Sequence, residues 1–259
     1  MYTLGIDIGS TTSKCLILKD GVKIAASSLV RGGIGTAGAS EVIEKVFEES
    51  GLVREDINAV TATGYGRGHY QDADAQVSEL TCHALGARFV FPEVRTVIDI
   101  GGQDAKVIAI DEFGVMKNFL MNDKCAAGTG RFLDVMANIL RIPVHELESY
   151  AARSSTPAAI SSTCTVFAES EVISQLAKGV DTADLVAGIC VSVANRVAAL
   201  VKRLGIVPAV CMSGGVAQNS GVRRAMENAI GGDILCSENA QLFGALGAAI
   251  HAFRTRNFN

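Results

Sequence analysis

No run of Lys or Arg stands out along the 259 residues of this sequence, and its formal net charge is −4. Binding nucleic acid at scale needs clustered cations, so that class is excluded. No continuous apolar stretch approaches the roughly 20 residues that span a bilayer, which argues against a membrane protein. The opening Met1-Tyr2-Thr3-Leu4 lacks the basic segment and small-residue cleavage site of a secretory signal. A cytoplasmic chain is the expectation. Its seven cysteines cannot all pair. A chain of this size needs no disulfide staples in that compartment, so burial and metal ligation remain open for them. What is present is ample: 49% hydrophobic against 19% charged residues, the balance of a compact folded chain with one large domain or two small ones.

A duplication organises the chain. Ile6-Asp7-Ile8-Gly9-Ser10-Thr11-Thr12-Ser13-Lys14 aligns with Ile98-Asp99-Ile100-Gly101-Gly102-Gln103-Asp104-Ala105-Lys106, at an offset of 92 residues and with five identities in nine. Each copy reads as an apolar strand, an Asp near its end, a Gly turn and a second apolar strand. Asp20-Gly21 then turns the first copy into a third strand. Glycines in a tight turn expose successive backbone N–H groups, which suits an anion such as phosphate. Ser10, Thr11, Thr12 and Ser13 add hydroxyls and Lys14 a charge. An Asp before each turn can hold Mg²⁺ through water or orient an attacking water. Ordinary β-hairpins are the alternative, and the duplication weighs against it. Both turns lead into strands rather than helices and lack Walker and Rossmann spacing. A third element, Val210 to Asn219, runs from a strand through Gly214-Gly215 into a helical pattern over Val222–Ala229.

Together these segments resemble the superfamily of sugar kinases, actin and heat-shock chaperone ATPases. Asp7 to Lys14 look like its first phosphate loop, Asp99 to Lys106 its second, and Ser213 to Gln218 its adenosine motif. The resemblance implies an α/β, two-lobed actin-like or ribonuclease H-like fold, with duplicated lobes and nucleotide in the cleft between. Residues 1–94 plus 241–259 would form one lobe and 95–240 the other. Gly128–Leu140 and Leu242–Phe253 would be the connecting helices. It further implies Asp7, Asp99 and Gln103 as catalytic groups. The nucleotide contacts would be Gly9, Ser10, Thr11, Thr12, Ser13, Lys14, Gly101, Gly102, Gln103, Gly214, Gly215, Gln218 and Gln241.

Cys125, in Met121-Asn122-Asp123-Lys124-Cys125-Ala126-Ala127-Gly128-Thr129-Gly130-Arg131-Phe132-Leu133, and Cys164, in Ser161-Ser162-Thr163-Cys164-Thr165-Val166-Phe167-Ala168-Glu169-Ser170-Glu171, each precede a helical pattern. A helix start favours thiolate, the form that binds iron. Packing of two small side chains is the open alternative. Two cysteines 39 residues apart do not complete a four-ligand site, whereas two chains about a two-fold axis supply four. Cys15, Cys211, Cys190, Cys236 and Cys82, the last beside His83 in a helical segment over Val77–Phe89, are read as packing.

Those two cysteine stretches, with Glu79-Leu80-Thr81-Cys82-His83 and Ile98 to Asp104, look very like the activator component of 2-hydroxyacyl-CoA dehydratases, a family that also includes ATPase subunits of benzoyl-CoA reductases. The likeness runs from Asp7 to Gly247. It implies a homodimer bridged by one 4Fe-4S cluster on Cys125 and Cys164, with ATP/ADP and Mg²⁺ bound. It also implies electron transfer from ferredoxin or flavodoxin to a dehydratase, driven by ATP hydrolysis, with no nucleic acid or membrane involved. An aryl-CoA reductase partner is the alternative, and a small-molecule kinase the rival that leaves both cysteines unexplained.

Overall fold

The computed structural model describes residues 1–161 and 164–258. Ser162 and Thr163 of the second cysteine stretch lie outside the described residues. The chain divides into two compact units. The first comprises Met1–Arg95, Ile110–Lys117 and the chain from Ser237 onward; the second comprises Thr96–Ala109 and Asn118–Cys236.

The first unit opens with a meander of β1 (Tyr2–Ile8), β2 (Thr12–Lys19) and β3 (Lys23–Arg31), followed by α1 (Gly38–Ser50), β4 (Ile57–Thr63), β5 (Ala75–Gln76) and α2 (Glu79–Val90). Asp20 and Gly21 both adopt positive φ, 52° and 72°, as a turn matched to the twist of its strands demands. The sheet order is β3-β2-β1-β4-β5, with β4 and β5 parallel to the strands beside them.

In the second unit come β6 (Thr96–Ile100), β7 (Ala105–Ile110), β8 (Met116–Asn122), α3 (Gly130–Leu140), α4 (Leu147–Ala151), α5 (Thr165–Ala177), α6 (Thr182–Leu204), β9 (Val210–Ser213), α7 (Ser220–Ile230) and β10 (Ile234–Leu235). Its sheet, β10-β9-β6-β7-β8, repeats the plan of the first: an antiparallel hairpin whose first strand gains a parallel neighbour. The chain closes with α8 (Phe243–Phe258) in the first unit.

Both faces of the first sheet are covered. Leu4, Ile6, Ile8, Cys15 and Ile17 pack with Val42 and Val46 of α1 on one side. Leu16 and Leu18 pack with Ala245, Leu246, Ala249 and Ile250 of α8 on the other. Each Leu, Ile and Val among them contributes about 1.5–3 kcal/mol by leaving water. A sheet buried on both faces explains why the strands read as continuous apolar runs.

Several helices differ from the sequence reading at their ends. α2 starts at Glu79 rather than Val77, because the Ser78 side chain accepts the Thr81 N–H. α3 starts at Gly130, after Gly128 turns the chain at φ +86°. The Gly214-Gly215 pair leads first into a 3₁₀ turn over Gly215–Gln218, and Asn219 then caps α7. α8 runs to Phe258 instead of stopping at Phe253. α6 is long and apolar enough to cross a bilayer by length and composition, but Asp184 and Arg196 break its apolar run, as the sequence shows. Of its most apolar window 67% is buried, so it serves as the core helix of its unit.

Candidate functional site

In each unit the strand-end aspartate faces a lysine across a hairpin. Asp7 pairs in register with Lys14, and Lys14 Nζ lies 3.2 Å from Asp7 Oδ2. Asp99 pairs with Lys106, at 3.3 Å from Oδ2. The turns match as well: Gly9 N–H donates to the Thr12 carbonyl at 3.0 Å, and Gly101 N–H to the Asp104 carbonyl at 2.9 Å. The duplication is therefore one of geometry, down to a single turn hydrogen bond.

The second copy carries more. Lys106 also bonds Asp104 at 2.7 Å, and the Ser213 hydroxyl donates to Asp99 Oδ1 at 2.8 Å. Its turn anchors a helix, since Gly130 and Arg131 N–H groups donate to the Gly101 and Gly102 carbonyls. Gln103 is exposed at the turn.

The hydroxyls of the first turn divide into two kinds. Ser10 and Thr12 are half-buried and Thr11 is exposed. Ser13 is fully buried and donates to the Gly32 carbonyl at 2.7 Å, so its hydroxyl proton is committed within the fold and not turned outward as its place in the motif suggested.

Sequence reading missed a second equivalence. Asp7 is in register with Thr63 on the parallel strand β4, as Asp99 is with Ser213 on β9. Gly64 and Gly214 follow, at φ +86° and +84°. A Cβ on either would strike the carbonyl of Ile8 or Ile100, so each unit brings a bare backbone against its aspartate. Thr63-Gly64 is the counterpart of the Ser213-Gly214 that begins the adenosine motif of the sequence reading. Gln218 is exposed at the end of its 3₁₀ turn, and Gln241 is half-buried in the turn before α8.

The cysteines separate by burial. Cys15, Cys82, Cys190 and Cys211 are buried. Burial pushes the Cys15 thiol far above its ordinary range and those of Cys82 and Cys190 up to about 12, so these three stay protonated. Cys236 is half-buried, its Sγ 3.4 Å from the Ala217 carbonyl.

Cys164 is half-buried and is the N-cap residue of α5, as the reading required. Glu171 steadies the approach to it by accepting the Ser161 N–H and hydroxyl. Cys125 is exposed and differs from the reading. It sits five residues before the first residue of α3, in a turn held by Asn122, whose amide donates to the Cys125 and Ala127 carbonyls. Thr129, not Cys125, occupies the helix start there. Among the described residues, no group of three or more His, Cys, Asp or Glu is placed to hold a metal ion.

Paired sheets of this topology, each with an Asp–Lys hairpin at a Gly turn, define an actin-like ATPase fold. The chain belongs to the BadF/BadG/BcrA/BcrD ATPase family, which it matches over residues 4–252. It is 58% identical over 253 residues to the 2-hydroxyisocaproyl-CoA dehydratase activator of Clostridioides difficile, covering 98% of this chain and 95% of that one. It is 59% identical over 255 residues to the (R)-2-hydroxyglutaryl-CoA dehydratase activating ATPase of Acidaminococcus fermentans, covering 98% of both. A solved structure, the activator of the 2-hydroxyisocaproyl-CoA dehydratase from Clostridium difficile with bound ADPNP, superposes with a TM-score of 0.98 at 57% identity, over 100% of this chain and 96% of the other. A benzoyl-CoA reductase subunit of Thauera aromatica is a more distant relative, at 31% identity over 97% of this chain and 93% of its own.

Proposed function

We propose that this chain is the ATP-hydrolysing activator of a 2-hydroxyacyl-CoA dehydratase, to which it delivers a low-potential electron. The observation that carries the reading is a coincidence within one chain. Two matched Asp–Lys hairpins at Gly turns occur with Cys125, the one exposed thiol among the described residues, and Cys164, half-buried at the start of α5. The identity of 58% to a dehydratase activator gives that coincidence its direction, while the aryl-CoA reductase alternative rests on 31%.

In this reading the nucleotide is held by Gly9, Ser10, Thr11, Thr12 and Lys14 of the first turn, by Gly101, Gly102 and Gln103 of the second, and by Gly214, Gly215, Gln218 and Gln241. Ser13 supports the first turn from within. Mg²⁺ suits the hard carboxylate oxygens of Asp7 and Asp99, and the lysine beside each fixes the direction of its carboxylate. Gln103, exposed at its turn, orients the attacking water.

Soft thiolates at Cys125 and Cys164 suit iron, and two chains are needed to reach four ligands. A 4Fe-4S cluster held there supplies one-electron reducing power. Next to Cys164, α5 leaves Val166, Phe167 and Ile173 exposed at 66%, 68% and 50%, an apolar strip that a second copy would cover. Ferredoxin or flavodoxin is the electron donor and the cytoplasm the compartment.

The test is anaerobic. Cys125→Ser or Cys164→Ser should remove iron and weaken the dimer in sedimentation, while the chain still binds ADP. Variants that keep full iron, with another cysteine pair proving essential, would overturn the assignment.

A further inference from the structure

His83 lies on α2 with its side chain 7% exposed, and neither phosphate turn requires a buried imidazole there. Gly244 and Asp7, which lie near it, belong to the same unit. A Cβ on Gly244, in the first turn of α8, would stand 2.7 Å from Asp7 Oδ2 and 3.1 Å from His83 Nε2. Both groups flank the same bare glycine, which leaves Asp7 Oδ2 and His83 Nε2 no more than about 6 Å apart with no side chain between them.

The second unit shows what Asp7 would otherwise lack. There Asp99 receives Lys106 on one oxygen and the Ser213 hydroxyl on the other. The residue at the matching strand position of the first unit is Thr63, and its hydroxyl donates elsewhere, to the Val77 carbonyl at 2.8 Å. The neutral donor that Ser213 gives Asp99 has therefore no copy at Thr63.

We propose that His83 is a positioning residue for Asp7. Its imidazole, packed over Gly244, fixes the carboxylate at the first phosphate turn, the part that Ser213 plays for Asp99. This rests on the ATPase reading of that turn. A partner behind a metal-binding carboxylate is commonly worth about 10–100-fold in metal affinity or activity.

His83→Ala and His83→Gln are compared in ATP hydrolysis with Mg²⁺ varied, and in thermal unfolding in wild-type and Asp7→Ala backgrounds. His83→Ala should lower kcat about 10–100-fold and raise the Mg²⁺ needed for half-maximal rate, with KM for ATP little changed. His83→Gln, whose amide can still donate to the carboxylate, should recover most of the loss. The fall in Tm caused by His83→Ala should largely vanish once Asp7 is Ala, because the partner is gone. An equal fall in both backgrounds, no recovery with Gln and an unchanged Mg²⁺ requirement would overturn the assignment and leave His83 a packing residue. A wild-type protein that turned over no ATP would refute the ATPase reading, while the unfolding cycle would still decide the contact.

Discussion

The Asp7–Lys14 and Asp99–Lys106 hairpins share register, turn hydrogen bond and a parallel neighbour ending in glycine, yet differ in how their charges are housed. Lys14 has a side chain 13% exposed and one carboxylate partner. Lys106 is 3% exposed and serves two, Asp99 and Asp104, while Ser213 completes the Asp99 shell. Duplication preserved the backbone device and let the polar dressing diverge. One hairpin carries a closed network and the other an ion pair that solvent can reach.

If burial is what separates the two, removing the lysines should show it. Lys106→Met leaves two carboxylates facing one another with no cation, and should cost about 3–5 kcal/mol in urea unfolding. Lys14→Met should cost less, about 1–3 kcal/mol, because it strands a single carboxylate. Equal losses would break the distinction. A second comparison should instead give equality. Gly64→Ala and Gly214→Ala each force a Cβ against a carbonyl at positive φ, and each should cost about 2 kcal/mol or more by thermal unfolding. Unequal losses would mean that the two parallel strands are not equivalent supports.

The smallest effect is in acid, where the units should respond in different windows. Burial, aided by Arg254, holds His251 of α8 below its ordinary 6.5. As pH falls through 6.5 the unfolded chain takes up that proton first, so stability declines. His251→Asn should flatten the urea midpoint between pH 7 and 5.5, modestly, since the ring is partly exposed. Asp184 of the second unit behaves otherwise. The Ser154 hydroxyl and then the Thr156 and Ser155 N–H groups hold it below 3.8. Its contribution is complete above 3.8 and is lost only as pH falls through the lower folded value. Asp184→Asn should leave the pH 7 to 5.5 interval unchanged and alter the curve below pH 4.

Much of this was legible because strand, Asp, Gly turn and Lys recur at one fixed offset of 92 residues. The Thr63-Gly64 copy of Ser213-Gly214 was hidden. It stands at a different offset, 213 − 63 = 150 residues, and shares only its glycine by identity, so register had to reveal it. Cys164 was placed correctly because the helical pattern begins directly after it. Cys125 was placed too near its helix, since Phe132 and Met136 mark the face of α3 but not its first turn. The periodicity that put Cys82 and His83 in a buried helix said nothing of which strand end that helix would meet. That depends on α8, which lies about 160 residues further along the chain.

α8 also sets an order of assembly. Leu16 and Leu18 belong to the first hairpin made, but the side chains that cover them, Ala245, Leu246, Ala249 and Ile250, come from α8. Gly247 lies so close to the Cys82 carbonyl that α2 and α8 meet backbone to backbone. On the ribosome the second unit has all its elements by Cys236, while the first waits for the segment after it. The unit that begins earlier in the chain therefore finishes folding later, with an apolar sheet face open until α8 has been made.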